Sequence, residues 1–161
     1  MPSGEREIYD KLRPLFESFA DKVVYQGSLG MGSPCKLVNN MITLAVRQAV
    51  AEGLTLGVKA GLELSALMEA GSRGVLGYQR EGLERMVFRG QFELSSFRQA
   101  LARKDIELAT ELARELNVPL PVASIVEQLS IQCTNHGWGD LDTHVIYRLQ
   151  EDAAGIEVRS L

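Results

Sequence analysis

The chain has 161 residues, 45% of them hydrophobic, and a formal net charge of −4. That is apolar material enough for one compact domain with a core, and the acidic balance gives no basic field for a nucleic acid. No run of 18 consecutive apolar residues is present and the start "MPSGEREIYD" is polar and acidic, so neither a membrane span nor a signal peptide is expected, and the cytoplasm is the expected location. Cys35 and Cys133 lack metal-ligand spacing and read as free thiols.

Residues 5–20 carry Ile8, Leu12, Leu15, Phe16 and Phe19 at helical spacing. Pro14 kinks this helix or opens its last turns. "KVVYQ", residues 22–26, reads as a short strand, and no later segment offers it a partner. A lone strand leaves its backbone groups unpaired, so another chain or a missing sheet is implied. The run 34–60 opens on Ser33 as N-cap and Pro34 in the first turn. Its only charges are Lys36, Arg47, Glu52 and Lys59. A helix here is about 40 Å long, and one apolar on most sides is the buried centre of a bundle or of a dimer. Gly53 and Gly57, four apart, permit a close helix neighbour.

"SALMEAGSRG" reads as a short helix ended by glycine. Residues 75–94 read as loop and irregular turns, with "ERMVFRGQFE" a solvated turn. Residues 95–117 form the clearest helix, with a stripe of Phe97, Leu101, Leu108, Leu112 and Leu116. Lys104 falls on that stripe. Asn117 and Pro119 stop the helix. "PVASIVEQLSIQCTN" is the next helix, "HGWGD" breaks it, and "DTHVIYRLQEDA" makes the last, capped by Asp142. The expected body is all-α, with an α–β stub in front.

The glycines of "GSLGMGSPCKLVNN" suggest a phosphate loop. A Walker loop needs Lys directly after its last Gly, whereas Lys36 lies four residues beyond Gly32. A Rossmann fingerprint needs Gly-x-Gly-x-x-Gly, whereas the order here is Gly-x-x-Gly-x-Gly. What remains is a flexible elbow and a helix with Lys36 in its first turn. Lys36 and Asn40 share a face at i, i+4, and Asn39 lies one step around. The positive end of the helix dipole and partial burial both disfavour the charged amine, which makes Lys36 a candidate proton donor and acceptor. The alternative is a solvated first-turn lysine.

That segment resembles the Gly-x-x-Gly-x-Gly-x-x-x-Lys-x-x-Asn-Asn segment of the β-hydroxyacid dehydrogenases, which include 3-hydroxyisobutyrate dehydrogenase and tartronate semialdehyde reductase. "FELSSFRQALARKDIELATELARELNVPLPVAS" is similar to the family's Lys-Asp-Leu helix and following proline turn. "GWGDLDTHVIYRL" is similar to its late Gly-x-Gly-x-x-Asp segment. Ile106 replaces the usual leucine, and Thr143–His144 a common small pair. The resemblance spans nearly the whole chain but only the second half of such an enzyme. It implies that residues 1–27 are the end of a nucleotide-binding domain whose body is absent. Residues 28–161 would be an all-α substrate and dimerisation domain of the 6-phosphogluconate dehydrogenase C-terminal type.

The resemblance also implies roles. Lys36 matches the family's catalytic lysine, general acid and base for the substrate hydroxyl while hydride passes to the nicotinamide. Asn40, with Asn39 beside it, matches the substrate-holding asparagine, and Lys104 a lysine that contacts the cofactor, NAD or NADP. Its long stem would cross the apolar stripe and leave the amine in a cleft. Asp105 is expected to cap or pair within the helix region. The substrate would be a small 3-hydroxyacid, and the chain alone is expected to be inactive without the nucleotide domain. A homo-oligomer through helix 34–60 is expected. A non-catalytic α-helical oligomerisation module is the alternative, although a pure scaffold needs neither Lys36 nor Asn40. His136 and His144 have no partners at ligand spacing, so no metal site is expected. Trp138 lines a cleft or packs at a subunit interface, and Cys35, matching a small residue, is expected to pack.

Overall fold

The computed structural model describes residues 1–93 and 95–159. Leu94, the last residue of the expected irregular stretch, lies outside them, as do Ser160 and Leu161 at the end of the expected helical domain. The described residues form seven α-helices: α1 (Arg6–Glu17), α2 (Gly32–Lys59), α3 (Leu64–Ala70), α4 (Val75–Gly82), α5 (Gln99–Glu115), α6 (Pro121–Asn135) and α7 (Ile146–Ala154). A π-helical turn, Leu83–Val87, continues α4, and a 3₁₀ turn, Thr143–Val145, leads into α7. The all-α expectation holds.

The central helix α2 packs against α3, α4, α5, α6 and α7. The larger core gathers Val50, Ala51 and Leu54 of α2 with Met68, Leu83, Met86, Val87, Phe88, Phe92 and Tyr147. A smaller core joins Leu44 to Ala102, Ile106, Ala123 and Val126, and Met41 packs on it. The N-terminal half of α2 is therefore held mainly by α5 and α6, with the N-terminal residues against its first turn. By length and hydropathy α2 also passes as a membrane span, yet Arg47 and Gln48 in its middle and Thr55 near its end are buried against the chain's own bundle. Gly57 gives close approach to α3, since a Cβ there would stand 2.7 Å from Leu67, whereas Gly53 faces open space. In the core, burial pushes the Cys133 thiol up to about 12, so that sulfur acts as an apolar filler.

Three expectations are corrected. The α–β stub is not formed, and no strand occurs among the described residues. Residues 22–26 run irregularly beside the N-terminus, with Gln26 N donating to Pro2 O at 2.9 Å and Gly4 N to Gly27 O at 2.8 Å. Val23, Val24 and Tyr25 have strand-forming side chains, but two hydrogen bonds to a short extended tail do not make a ladder. Residues 75–87 are not loop, since they form α4 and the π-helical turn, whereas 88–93 are turn and irregular chain as expected. Nor is "ERMVFRGQFE" a solvated turn, since Met86, Val87, Phe88 and Phe92 are core. The charges of "ERMVFRGQFE" misled, because Glu84, Arg85 and Arg89 are exposed on the opposite side of the same turns.

The third correction concerns α5. Its leucine stripe does not face the core: Leu101, Leu108 and Leu116 are 43%, 41% and 64% exposed. The buried face is Ala102, Asp105, Ile106, Ala109, Thr110 and Ala113. Small residues let α5 lie close on α2 and α6, so the polar groups between them meet directly. Asn117 ends the helix in the left-handed conformation, φ 55°, which asparagine tolerates.

Gly77 has no room for a side chain, because a Cβ would fall 1.8 Å from the Ser72 carbonyl oxygen. Gly77→Ala should lower stability by about 2–3 kcal/mol, the upper part of the usual range for point substitutions. Denaturant titration checks this, and a loss below half a kilocalorie would contradict the packing of the α3–α4 turn.

Candidate active site

Lys36 stands in the second turn of α2 and Asn40 one turn later, on the face that meets α5. Opposite them lies Asp105, 1% exposed in its side chain. Lys36 Nζ is 3.0 Å from Asp105 Oδ2 and 3.4 Å from Oδ1. Asn40 donates from Nδ2 to Oδ2 at 2.7 Å. Lys104 Nζ reaches back to Oδ1 at 2.8 Å. One buried carboxylate thus gathers three of the four predicted site residues. Asn39 is outside this group: it is exposed, and its side chain donates a long bond to Asn40 Oδ1, 3.4 Å.

Asp105 itself was expected to cap or pair locally. It does pair with Lys104, but its larger role is to join α5 to α2. Burial would push the Asp105 carboxyl up; the hydrogen bonds from Lys104, Lys36 and Asn40 outweigh it and hold the group below its ordinary range. The lysines are each 53% exposed, so solvent screens the pairing and its worth to stability is small. What the carboxylate does is geometric. It aims two ammonium groups and an amide at one spot on the surface, with a net charge of +1 that suits an anion. The signal missed in the sequence is an aspartate in register with Ala102, Ala109 and Ala113, on a face too small-sided to be solvated.

Lys36 departs from expectation in one respect: half exposed, it is not the partly buried amine that the sequence suggests. Lys104 keeps its amine at the surface, but on an outward leucine stripe and not across a core.

A second buried polar cluster ties this region together. Asp142, 1% exposed, accepts the backbone N–H of Ser96 (3.0 Å), Phe97 (3.2 Å) and His144 (3.0 Å), and the Ser96 hydroxyl at 3.2 Å. His144 Nδ1 lies 2.6 Å from its Oδ1. It caps the 3₁₀ turn, as expected for the start of the last helix. Arg47, buried on α2, donates to Thr143 Oγ1. Burial pushes the Asp142 carboxyl up, but the bonds from His144 and Phe97 prevail and hold it well below the carboxylate range.

For His144 burial is the larger influence and lowers its basicity, against the pull of Asp142. A histidine less basic folded than unfolded gives stability that is full above its unfolded pKa of about 6.5 and is lost as pH falls below it. Denaturant midpoints should therefore drop between pH 7.5 and 5.5, and His144→Gln should flatten that slope; an equal slope in the variant would remove His144 as its cause.

Trp138 stacks on His136, 4.4 Å between ring centroids, with the Arg148 guanidinium 5.1 Å from its ring. No group of three metal-ligating side chains occurs among the described residues. A groove of about 940 Å³ lies at the far end of α2 around Val58, Met68 and Phe88. Its Arg80 and Arg159 are already paired with glutamates, and the convergent polar chemistry lies elsewhere.

The glycine elbow offers no phosphate cradle of its own. A Cβ on Gly32 would fall 2.4 Å from the Met1 carbonyl oxygen, so backbone already fills that side. Gly27 and Gly30, both at φ 95°, turn the chain into α2.

The fold is that of the helical half of a hydroxyacid dehydrogenase. It superimposes on 3-hydroxyisobutyrate dehydrogenase from Salmonella typhimurium with a TM-score of 0.77, 23% identity, and coverage of 91% of this chain and 52% of that one. A family model described as "NAD-binding of NADP-dependent 3-hydroxyisobutyrate dehydrogenase" matches residues 30–150, and the chain belongs to that family. It is 29% identical over 160 residues to 2-(hydroxymethyl)glutarate dehydrogenase of Eubacterium barkeri, covering 98% of this chain and 53% of that protein. It is 27% identical over 156 residues to 2-hydroxy-3-oxopropionate reductase of Escherichia coli K12, covering 94% and 52%. The chain spans about half the length of the curated relatives it matches.

Proposed function

We propose that this chain is the substrate side of an NAD(P)-dependent 3-hydroxyacid dehydrogenase, with Lys36 as its general acid and base. The observation that carries the reading is the convergence of Lys36, Asn40 and Lys104 on the buried Asp105 carboxylate. As the neutral amine Lys36 Nζ takes the hydroxyl proton during oxidation, becoming the ammonium, and as the ammonium it returns that proton during reduction. Asn40, held by Asp105 through its amide N–H, presents its carbonyl oxygen to the substrate hydroxyl. Lys104 faces the anionic part of the cofactor, and a carboxylated substrate is matched by the cluster's positive charge.

The exposed amines fit the reactive side of a dinucleotide, and the filled glycine elbow does not fit its phosphates. Once bound, the cofactor would accept or donate the hydride. Its phosphate-binding loop would come from the nucleotide-binding half of the enzyme, whose last residues we assign to 1–27. Turnover by residues 1–161 alone is accordingly expected to be negligible. The test is to supply the nucleotide-binding half of a relative in trans and follow NAD(P)H with a panel of 3-hydroxyacids. Substrate-dependent reduction of cofactor only in the mixture supports the reading; normal NAD(P) affinity and turnover by the chain alone would refute it.

Exposed Val38, Ile42 and Leu56 on α2 favour a second reading, assembly through this helix, in which the chain serves as an oligomerisation module. Light scattering distinguishes them: a dimer or tetramer in which Lys36→Ala leaves reconstituted turnover intact would favour the scaffold.

A further inference from the structure

We propose that Asp142 is a positioning residue for the Lys36–Asp105 cluster, acting with Arg47 and Thr143 by fixing where α5 sits on α2. The proposal rests on the reading of Lys36 given above for its functional meaning, but its geometry stands apart from it.

Helix α5 begins without a side-chain cap from its own N-cap residue, Arg98. Its free N–H groups are satisfied by another part of the chain. Gln99 N donates to Leu141 O at 2.8 Å and Ala100 N to Gly139 O at 2.9 Å. Just before them, the N–H groups of Ser96 and Phe97 go to Asp142 Oδ2. Return bonds run from Asp142 N to Phe92 O (2.8 Å) and from Thr143 N to Phe97 O (2.9 Å). The loop 139–143 therefore does the work that a capping residue does elsewhere, and it does so at both edges of the α5 entry.

The same loop is attached to α2 through the Arg47 guanidinium on Thr143 Oγ1. Lys36 and Arg47 are eleven residues apart, about three turns or ~16 Å along the helix, and so share a face. Asp105 lies six residues, ~9 Å, beyond Gln99 on α5. Beside the apolar packing of Leu44 with Ala102 and Ile106, polar groups tie the two helices at two points, Arg47 to the Asp142 loop and Lys36 with Asn40 to Asp105. Asp142 sets the first, and a rigid helix carries its register to the second. A short polar contact such as Asn40 to Asp105 at 2.7 Å is sensitive to a slide of half an ångström.

The readout is the Asp105 carboxyl, titrated by carbon-13 NMR in the whole chain, because its ionisation reports the closeness of Lys36, Asn40 and Lys104. Asp142→Asn keeps the shape and removes the charge. Thr143→Val keeps Asp142 and removes the acceptor for Arg47. Met68→Ala, a core truncation in α3, supplies a comparison of matched thermal stability. The expected result is an Asp105 midpoint that rises by about one pH unit in Asp142→Asn and by less in Thr143→Val, with no change in Met68→Ala. A midpoint unmoved in both clamp variants overturns the proposal, and so does the same movement in Met68→Ala. If Asp142→Asn fails to fold, Thr143→Val decides alone. The measurement needs no cofactor and no turnover. Inertness of Lys36 in catalysis would leave it standing, and its own failure would leave the chemistry of Lys36 untouched.

Discussion

Lys36→Ala is expected to reduce kcat of the reconstituted dehydrogenase by about 10²–10⁴-fold, the usual contribution of a positioned acid–base group. Lys36→Arg is the more informative variant. Arginine preserves the positive charge facing Asp105 and so preserves the α2–α5 contact. Its guanidinium does not give up a proton in the working range of pH. If Lys36 moves the hydroxyl proton, Lys36→Arg loses as much rate as Lys36→Ala while binding of substrate changes little. If Lys36 only supplies charge, Lys36→Arg retains activity near that of the natural chain. Steady-state kinetics of both variants decides between them, and activity within threefold of wild type in Lys36→Arg would end the acid–base assignment.

Asp142→Ala is expected to cost about 3–5 kcal/mol of stability, the range for removing one side of a buried charged network. The carboxylate is 1% exposed and accepts three backbone N–H groups, the hydroxyls of Ser96 and Thr143, and the His144 ring. Alanine leaves those donors without a partner in a place water does not reach, at roughly 1–3 kcal/mol for each that stays unpaired. It also leaves Arg47, already lowered in basicity by burial, without its nearest countercharge. Asp142→Asn should cost less, since its carbonyl oxygen still serves Ser96 and Phe97. Because the carboxyl is held below its ordinary range, its contribution is complete above about pH 3.9 and is lost as pH falls through the folded value. Chemical denaturation of both variants at neutral pH tests this; a loss under one kilocalorie for Asp142→Ala would show that the loop repairs itself.

The long helix was legible because Pro34 marks its start and few charges interrupt it. Lys36 and Asn40 were legible as a pair because i, i+4 spacing needs no tertiary information. Asp105 was not, because its meaning depends on which side of α5 meets α2. The leucines at 101, 108, 112 and 116 make the strongest periodic signal in that helix, yet the inner face is built from alanines. Hydrophobicity identifies a face that prefers to leave water, whereas close packing selects the face that is small, and on α5 these are different faces. The segment 22–26 shows the same limit for strands: Val23, Val24 and Tyr25 carry the propensity, but a strand exists only if a partner does. The π-helical turn after α4 was hidden because its charges and its core residues alternate within single turns.

The stacking of Trp138 on His136, with the Arg148 guanidinium also over its ring, gives the molecule an optical probe of its own. The chain has one tryptophan, so all indole emission originates one residue before the loop that holds the entry of α5. The guanidinium beside the ring draws anionic quenchers towards the indole and keeps cationic ones away. Changes in the posture of residues 139–143 are therefore written directly into the colour and intensity of a single fluorophore, with no label attached.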